Sequence, residues 1–543
     1  MVKCQSFVFF RDWDPSKRDE GLKELMNNGI KYIMLSGPYR LSTIVHDDKL
    51  AREAEEFIEY AYDEFNIQSI IFAGKRVSDD LFIDRGFVEL QSDMIARGME
   101  KLRNVRGLYA LYIEDEPYLS WDLTPSKVRD KYNDLFESET GCRLPERGKV
   151  KGKWNFKTAM TYCHWVSEKY LYYIGRIIEK YKKVCPHVKS AINLHIGGVF
   201  PSADNPVDVQ GIIELVDILI TDIYPGWHQM LLEIENMTDF RTKLLRCITD
   251  KPLWNILQGH LVIPGYAPTL QQMERWALVS VENGWDAVGW YANDHNFAPY
   301  IRVNIKTEYT KYACRERWNK MMEISKKITS IERKKPRKSN ICILASFDSI
   351  LAYGRMPLLY AYITLHVDGG MEVDFLTERM IDKENNILEN YQYLFLGSSP
   401  IVRETIIPVL KNFITNGGIL IGSCQDMLYN EKGESLSKIR ARLFGVEEEK
   451  VFYLEDSIHL SRRVGGLEEG STLPCFWERR AVKKTLGSVD VLGVWSNGYP
   501  AIILKKYGKG KVIYIGTRPY RANCQRRARI WAKFMKEIII SKI

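Results

Sequence analysis

The stretch "LYALYIEDEPYLS", residues 108–120, places three consecutive acids directly after an apolar run. The run has the near-continuous apolar character of a strand that is buried on both faces. Glu114, Asp115 and Glu116 then follow, and Pro117 ends the segment. A carboxylate in such a place is costly unless it is paired, solvated in a cleft or protonated. The stretch therefore predicts either a functional strand end or an acidic surface loop.

Seven further apolar runs of the same kind alternate with amphipathic segments in the first 330 residues or so. The segment 48–65 is one of these helices, with apolar residues at every third or fourth position. The other runs lie at 6–10, 32–37, 69–74, 190–195, 218–225, 252–259 and 287–294. Eight strand-then-helix units of this total length predict a (β/α)8 TIM barrel. The count decides, because a doubly wound open sheet has the same local pattern.

The rest of the chain predicts a second α/β domain. A long insertion, about 119–155, follows the fourth strand, and a basic, proline-containing linker lies at 332–338. Four apolar runs, one helix with a glycine C-cap and one hairpin then follow. These lie at 340–347, 372–377, 393–398 and 419–423, at 402–418 and at 500–517. We expect a barrel over residues 1–335 and a flavodoxin-like domain over 339–543.

Composition excludes several classes of protein. The 77 basic and 69 acidic residues leave a net charge of +8, but the basic residues are scattered, which argues against a nucleic-acid-binding protein. No apolar stretch approaches the ~20 residues that cross a bilayer, and the N-terminal segment lacks the features of a signal peptide. The 10 cysteines include no C-x-x-C pair, so we expect reduced thiols in a cytoplasmic protein with neither a membrane partner nor a structural zinc site.

Polar and aromatic side chains gather where the predicted strands end, which is the active-site face of such barrels. Four of the 9 histidines follow strands five to eight: His195, His228, His260 and His295. The same positions include Asn193, Asp222, Tyr224, Trp227, Trp290, Tyr291 and Asp294. Two interpretations compete: hydrogen bonding to a polyhydroxylated ligand such as a sugar, or a metal site that includes Asp222 or Asp294. The spacing has no H-x-H or H-E-x-x-H pattern, so we predict a sugar and no metal.

Alternation along the fourth strand predicts which of its acids faces the barrel axis. Glu114 and Glu116 share one face, and Asp115 lies on the other. If Ala110 and Tyr112 face the axis, at least one glutamate projects into the mouth of the barrel. A carboxyl group held there beside aromatic rings and other acids has a raised pKa, as a general acid requires near neutral pH. The alternative is that these acids cap a helix in the following loop.

These strand-end motifs resemble the barrel of family 42 glycoside hydrolases. The resemblance rests on "YIEDEP", "SAINLH", "VDILITDIYPG", "KPLWNILQGH" and "ENGWDAVGWYAND" after strands four to eight. In the second domain, "FITNGGILIGS" and "YGKGKVIYIGT" are similar to the domain, itself like class I glutamine amidotransferases, that follows the barrel in those enzymes. The resemblance implies a glycosidase without a cofactor, a carbohydrate substrate and a homo-oligomer, such as a trimer, formed through the second domain.

The resemblance also assigns roles, with one departure. The acid/base glutamate of the family falls on Glu116, and Asp115 stands where the family usually has asparagine. The nucleophilic glutamate after strand seven falls on Gln258. An amide cannot form a glycosyl ester, so the usual double displacement is closed.

Three explanations remain open for this departure. The first is an inverting reaction with Asp222 or Asp294 as base. The second is assistance by a 2-acetamido group of the substrate, which the clustered acids and Tyr224 orient. The third is a catalytically inactive sugar-binding or scaffold protein.

We therefore predict a glycoside hydrolase with Glu116 as proton donor. The candidate catalytic residues are Glu116, Asp115, Asp222 and Asp294. The candidate substrate-binding residues are Glu114, Asn193, His195, Tyr224, Trp227, Gln258, His260, Trp290 and His295. Cys424, in "GSCQDM", lacks the glycine-rich elbow and downstream H-x-E of active amidotransferases, so we expect an inert thiol.

Overall fold

The computed structural model describes most of the chain and divides it into two units. The described residues are 3–10, 15–35, 37, 39–74, 81–117, 126–143, 156–194, 206–225, 231–259, 267–293, 308–333, 338–453 and 456–541. One unit comprises 1–147 and 162–336, and the other comprises 148–161 and 337–543. The inclusion of the described residues 156–161 in the second unit was not predicted.

Eight parallel strands form a closed barrel in the first unit, which confirms the predicted TIM barrel. Each strand pairs with the next, and β1 pairs with β8 to close the barrel. The strands are β1 Gln5–Phe10, β2 Ile30–Leu35, β3 Gln68–Phe72, β4 Leu108–Asp115, β5 Lys189–Leu194, β6 Ile218–Ile223, β7 Leu253–Leu257 and β8 Ala287–Asn293. They coincide, within a few residues, with the eight apolar runs.

Helices follow the strands and pack around them, since each has an apolar stripe. They are α1 Pro15–Asn27, α2 Leu41–Ile44, α3 Asp48–Phe65, α4 Arg85–Lys101, α5 Ser126–Thr140, α6 Phe156–Val184, α7 Val209–Leu215, α8 Leu231–Ile248, α9 Leu270–Glu282 and α10 Glu308–Ile328. Local signals set their ends: the Asp47 side chain accepts the N–H groups of Lys49 and Leu50 at the start of α3, and Asn66 ends it in the left-handed region. Helix α5 lies in the insertion after β4, where its Phe136 packs on Trp165 of α6 at 5.3 Å between ring centroids.

Aromatic rings fill the interior of the barrel. Trp254 lies at its centre, with ring centroids 5.0 Å from Phe7 and 4.7 Å from Tyr32. Above this layer Tyr112 packs on Phe72 at 4.3 Å. The inward residues alternate along each strand and fill the interior, so the side chains at the carboxyl ends of the strands lie directly above a packed core.

The second unit contains a nine-stranded mixed sheet and a two-stranded ribbon. The sheet order is β10-β9-β11-β12-β19-β18-β17-β14-β15, and β13 pairs with β16 in the ribbon. The first five strands are parallel, in the order 2-1-3-4-5 of flavodoxin-like sheets. The strands are β9 Ile341–Leu344, β10 Asp374–Leu376, β11 Tyr393–Phe395, β12 Ile419–Ser423, β13 Val446–Phe452, β14 Ser457–Leu460, β15 Thr472–Pro474, β16 Arg479–Thr485, β17 Asp490–Trp495, β18 Pro500–Tyr507 and β19 Gly510–Ile515.

Seven α-helices complete the described part of the second unit. They are α11 Phe347–Tyr353, α12 Met356–Tyr362, α13 Glu378–Lys383, α14 Ile407–Thr415, α15 Ser437–Phe444, α16 Pro519–Gln525 and α17 Ile530–Ile540. Helix α12 continues directly into a π-helical turn at Ile363–Asp368. None of the helices that the structure describes in the chain is both long and apolar enough to cross a membrane.

A buried carboxyl pair lies near the carboxyl ends of β9 and β10. Glu378 is only 3% exposed, and Asp348, on α11, is buried beside it. Arg403 donates from Nε to Asp348 Oδ2 at 2.9 Å. Burial, and then the charge of Asp348, raise the pKa of Glu378 to about 8. Glu378 is therefore protonated in the folded protein at neutral pH.

This pair makes the stability of the second unit depend on pH. A free glutamate has a pKa of ~4.3, so unfolding releases a proton, and the free energy of unfolding falls as pH rises from there to about 8. The slope for one proton is at most ~1.4 kcal/mol per pH unit. We expect Glu378→Gln to remove this dependence. Urea unfolding between pH 5 and pH 9 measures it, with the exposed Glu384→Gln as control. Equal slopes for wild type and Glu378→Gln would contradict the assignment.

Candidate active site

The inward positions just beyond the barrel core form a polar ring at the mouth of the barrel, meaning the carboxyl ends of β1–β8. On β5, Ala191 faces the core, so Asn193 is the next inward residue. On β6 the same alternation from Ile220 brings Asp222 and Tyr224 inward. Gln258 follows Ile256 of β7 in the same way, and its side chain is fully buried. These four predicted site residues therefore share one face of the barrel.

A β-bulge near the end of β4 changes which acid faces inward. Tyr112 pairs with Ala191, but Asp115 pairs with Asn193, so β4 has one residue more than β5 over this interval. The extra residue places Asp115 on the same side as Tyr112. Glu114 instead lies close enough to Tyr173 of α6 to contribute to the raised pKa of that phenol, after burial.

The predicted face assignment along β4 was therefore wrong, because it assumed unbroken alternation. Glu114 turns toward the helix layer, and the structure does not support it as a substrate-binding residue. Asp115, which was placed on the opposite face, is the acid that points with Tyr112 toward the barrel interior.

Glu116 also turns into the mouth, through an unusual backbone conformation. Its φ of 49° lies in the left-handed region, which a residue with a side chain adopts at a cost of about 1–3 kcal/mol. The Glu116 N–H still donates to the carbonyl oxygen of Asn193, at 3.1 Å. The turn breaks the alternation of the strand. As a result the charges of the consecutive residues Asp115 and Glu116 both contribute to the raised pKa values of Tyr112 and Tyr224. Strain of this kind is concentrated at functional sites.

Asp115 is held in place by two donors. The Tyr112 hydroxyl donates to Asp115 Oδ1 at 2.6 Å, and Asn193 Nδ2 donates to the same oxygen at 3.1 Å. Burial, followed by the charge of Asp115, raises the pKa of Tyr112 well above its usual value. Tyr112 therefore remains a hydrogen-bond donor. The Asn193 Oδ1 atom is buried and has no hydrogen-bond partner among the described residues.

Asp222 and Glu116 form a carboxyl pair. Asp222 is 1% exposed, and the carboxyl group of Glu116 lies beside it, in the range of a side-chain hydrogen bond. No described residue makes a hydrogen bond of good geometry to either Asp222 carboxyl oxygen. The carboxyl groups of Asp222 and Glu116 therefore influence each other because they are close, and not through a well-formed hydrogen bond. Burial, and then the proximity of Glu116, raise the pKa of Asp222 well above its ordinary value. Two such neighbours cannot both be ionised at low cost, so the pair favours a shared proton.

Two further residues of the site are not among the predicted catalytic and substrate-binding residues. Arg241 of α8 is fully buried and donates from Nη1 to the backbone oxygen of Asp222 at 3.3 Å. Its charge lowers the pKa of Asp222 and so partly opposes burial. Tyr291 of β8 lies beside the inner core, with its ring 5.1 Å from that of Phe9, and contributes to the raised pKa of Tyr224. Alternation from Ala287 indicates Tyr291, but no sequence signal marks Arg241.

The prediction that Trp290 binds substrate was wrong. Trp290 is fully buried, and its Nε1 donates to Ser325 Oγ of α10 at 3.0 Å. It therefore packs between β8 and the helix layer, since Tyr291 takes the inward position beside it.

Several predicted site residues lie outside the described residues. They are His195, Trp227, His228, His260, Asp294 and His295. Their roles remain predictions. Among the residues that the structure does describe, no group of three or more His, Cys, Asp or Glu side chains is arranged to hold a metal ion.

Cys424, in the second unit, has the character of a structural thiol. It follows β12 and is fully buried, and burial raises its pKa well above the usual value. Arg440 packs beside it, donating to the Cys424 carbonyl at 3.2 Å and to Glu449 at 3.1 Å. A nucleophilic cysteine needs access and a stabilised thiolate, so this environment agrees with the prediction of an inert residue.

Fold and site together define a class of protein. The chain is a TIM barrel with coupled carboxyl groups, an amide and phenols at the carboxyl ends of its strands, followed by a separate α/β unit. Residues 362–540 of that second unit match the family model of the beta-galactosidase trimerisation domain. A comparison of the sequence with curated proteins gave no match.

Solved structures extend the comparison to the whole chain. A catalytic mutant of a GH42 beta-galactosidase from G. stearothermophilus is 14% identical with a TM-score of 0.74, and the match covers 96% of this chain and 87% of that one. A beta-galactosidase from Halorubrum lacusprofundi is 13% identical with a TM-score of 0.75, covering 99% and 90%. An exo-beta-1,4-mannosidase from an Opitutaceae bacterium is 13% identical with a TM-score of 0.65, covering 98% and 96%. The chain has the fold of these proteins across both units.

Proposed function

We propose that the chain is a glycoside hydrolase with its active site at the mouth of the barrel. The observation that carries this proposal is the coupled pair of Glu116 and Asp222 at the ends of β4 and β6. Glycosidic bond hydrolysis uses a carboxylic acid whose raised pKa keeps its proton, together with a second acidic group nearby. The match of 362–540 to a beta-galactosidase trimerisation domain supports the same class.

Glu116 is the proposed proton donor. It follows the fourth strand, and its strained backbone turns the carboxyl group into the mouth. The neighbouring Asp222 carboxyl group makes it costly for both acids to be ionised, which favours a proton on one of them. Asn193, Tyr224 and Gln258 are proposed to hold the sugar, because they face the same mouth from β5, β6 and β7.

The proposed reaction is not the ordinary double displacement. Gln258, at the inward position after β7, has no carboxylate to form an ester. Asp222 lies too close to Glu116 for the inverting mechanism, which needs ~6.5–9.5 Å between carboxyl groups so that a water molecule fits. The described residues therefore favour a nucleophile that the substrate supplies.

We further propose that the chain forms a homo-oligomer, a trimer being the state that the matched model names. Size-exclusion chromatography with light scattering tests this assembly. A monomer at micromolar concentration would exclude it.

A panel of aryl glycosides and oligosaccharides tests the function. Release of aryl alcohol or reducing sugar by the full chain supports a glycosidase. If sugars raise the melting temperature but none is cleaved, the alternative of a binding protein replaces the proposal.

Gln258→Glu tests the assignment of the strand-seven position. We expect this variant to hydrolyse 2-hydroxy aryl β-glycosides with retention at a rate at least about tenfold above wild type, since a carboxylate then stands at the inward position after β7. Mass spectrometry with a 2-fluoro glycoside detects the covalent intermediate. Gln258→Ala is the control, which lacks a nucleophile. No adduct with Gln258→Glu would mean that this position does not reach the anomeric carbon.

A further inference from the structure

Asp222 is a buried carboxyl group whose oxygens lack well-formed hydrogen bonds. It is 1% exposed, and apart from the close contact with Glu116 neither Oδ1 nor Oδ2 receives a well-formed hydrogen bond from a described residue. Buried polar groups are almost always hydrogen-bonded, and leaving one unsatisfied costs about 1–3 kcal/mol. Alternation along β6 points the group into the mouth of the barrel. A ligand that brings a donor to this place would remove the cost.

The hydrogen-bonding groups near Asp222 indicate the chemistry of a ligand that would fit there. Asp115, by contrast, already accepts hydrogen bonds from Tyr112 and Asn193. The remaining Asn193 acceptor, Oδ1, is buried with no partner in the part of the chain that the structure describes. Asp222 and Asn193 thus present acceptors to the same mouth, while the Tyr112 hydroxyl is occupied. The site is matched to a substrate rich in N–H and O–H donors.

The reaction needs a nucleophile, and the inward position after β7 does not supply one. Gln258 is an amide, and Asp222 adjoins the proton donor instead of facing it across the substrate. A 2-acetamido group on the sugar provides the missing nucleophile through its carbonyl oxygen, which can reach the anomeric carbon of the same ring. Its N–H then requires an acceptor, and the positive charge that develops on the amide requires an anion.

We propose, on the basis of the function proposed above, that the substrates are 2-acetamido-2-deoxy glycosides, and that the Asp222 carboxylate accepts the acetamido N–H while Glu116 protonates the leaving oxygen. The acetamido and aglycone groups must be trans for the attack, so the class is that of β-linked gluco- or galacto-configured sugars. Asn193 Oδ1 is available to a neighbouring hydroxyl of the same sugar.

The bond changes balance without a cofactor. In the first step the acetamido oxygen bonds to the anomeric carbon, the bond to the leaving oxygen breaks, and the Glu116 proton passes to that oxygen. The product is an oxazolinium ring whose N–H still donates a hydrogen bond to Asp222. In the second step water attacks the anomeric carbon and gives a proton to Glu116. The bond between the anomeric carbon and the acetamido oxygen breaks, which restores the acetamido group. One water is consumed and the configuration is retained.

The close contact between Asp222 and Glu116 couples binding to catalysis. Because the two carboxyl groups lie in contact, they favour a shared proton, and the raised pKa of Asp222 lets that proton reside on Asp222 in the free enzyme. An N–H donor favours the ionised form of Asp222. Substrate binding therefore moves the proton onto Glu116, where the leaving oxygen needs it.

Matched substrates test the inference. We expect the full chain to hydrolyse 4-nitrophenyl N-acetyl-β-glucosaminide or N-acetyl-β-galactosaminide with kcat/KM at least about 10²-fold above the β-glucoside or β-galactoside. Trifluoroacetamido substrates should react more slowly, because fluorine weakens the carbonyl nucleophile. A thiazoline analogue of the oxazolinium ring should inhibit competitively.

The outcomes separate the two proposals. Hydrolysis of the 2-hydroxy glycosides with no advantage for the acetamido sugars would overturn the substrate class and leave the glycosidase intact. Hydrolysis of neither series would overturn both. A rate that is insensitive to fluorination of the acetamido group would exclude its role as nucleophile, even if acetamido sugars are preferred.

Discussion

Glu116→Gln is expected to lower kcat for glycoside hydrolysis by about 10²–10⁴-fold, the usual contribution of a general acid. Gln keeps the shape of the side chain but has no proton to give to the leaving oxygen. Binding of the sugar should persist, because Asn193, Asp222 and Tyr224 are unchanged. Steady-state kinetics give kcat, and a sugar-induced rise in melting temperature reports binding.

The dependence on leaving group makes this test specific. A 2,4-dinitrophenyl glycoside departs without protonation, so Glu116→Gln should lose much less activity on it than on an alkyl glycoside. Glu282→Gln, at an exposed position on α9 of the same unit, is the matched control and should keep wild-type kinetics. An equal loss on both leaving groups would point to a structural defect and remove Glu116 as proton donor.

The barrel could be predicted because its strands are buried on both faces. Parallel strands inside a ring of helices are apolar along their length, and eight such runs are visible without any structural information. The antiparallel part of the second unit has no such signal. β13 has the sequence "VEEEKVF" with mostly exposed or half-exposed side chains, and its ribbon with β16 was missed. Short strands with polar faces are indistinguishable from loops in sequence.

The site was predicted in part, and its errors have local causes. Strand ends and alternation located Asn193, Asp222, Tyr224 and Gln258. The bulge in β4 shifts the faces by one residue, so Glu114 leaves the mouth. Neither that bulge nor the left-handed conformation of Glu116 has a glycine or another local marker in the sequence.

The buried cation that contacts the backbone of Asp222 could not be found from sequence either. Arg241 lies in "FRTKLLRC", which has the pattern of an ordinary solvated helix face. Only the tertiary structure brings its guanidinium to the backbone of β6. Charges that act across elements, rather than along one, are the part of an active site that periodicity cannot reveal.

Asp222→Asn is expected to change turnover and stability in opposite directions. Loss of the anion that stabilises the developing positive charge should lower kcat on acetamido substrates by about 10²–10³-fold, as for other preorganised electrostatic groups. The same change replaces a buried acid, crowded by the Glu116 carboxyl group and without a well-formed hydrogen bond, by a neutral amide. It should raise the free energy of unfolding at pH 7 by about 1–3 kcal/mol. Kinetics and urea unfolding of the same preparation measure both.

The pH dependence identifies the cause of that stability gain. A free aspartate has a pKa of ~3.9, whereas that of Asp222 is raised in the folded protein, so unfolding releases a proton and wild-type stability falls as pH rises above the free value. The advantage of Asp222→Asn should therefore be small near pH 4 and grow toward neutral pH. Asp217, just before β6, is the matched control: although burial opposes it, hydrogen bonds from Ser190 and Lys182 lower its pKa, and Asp217→Asn should destabilise the fold. A gain for Asp222→Asn that is constant across pH would show that ionisation of Asp222 is not what strains the site.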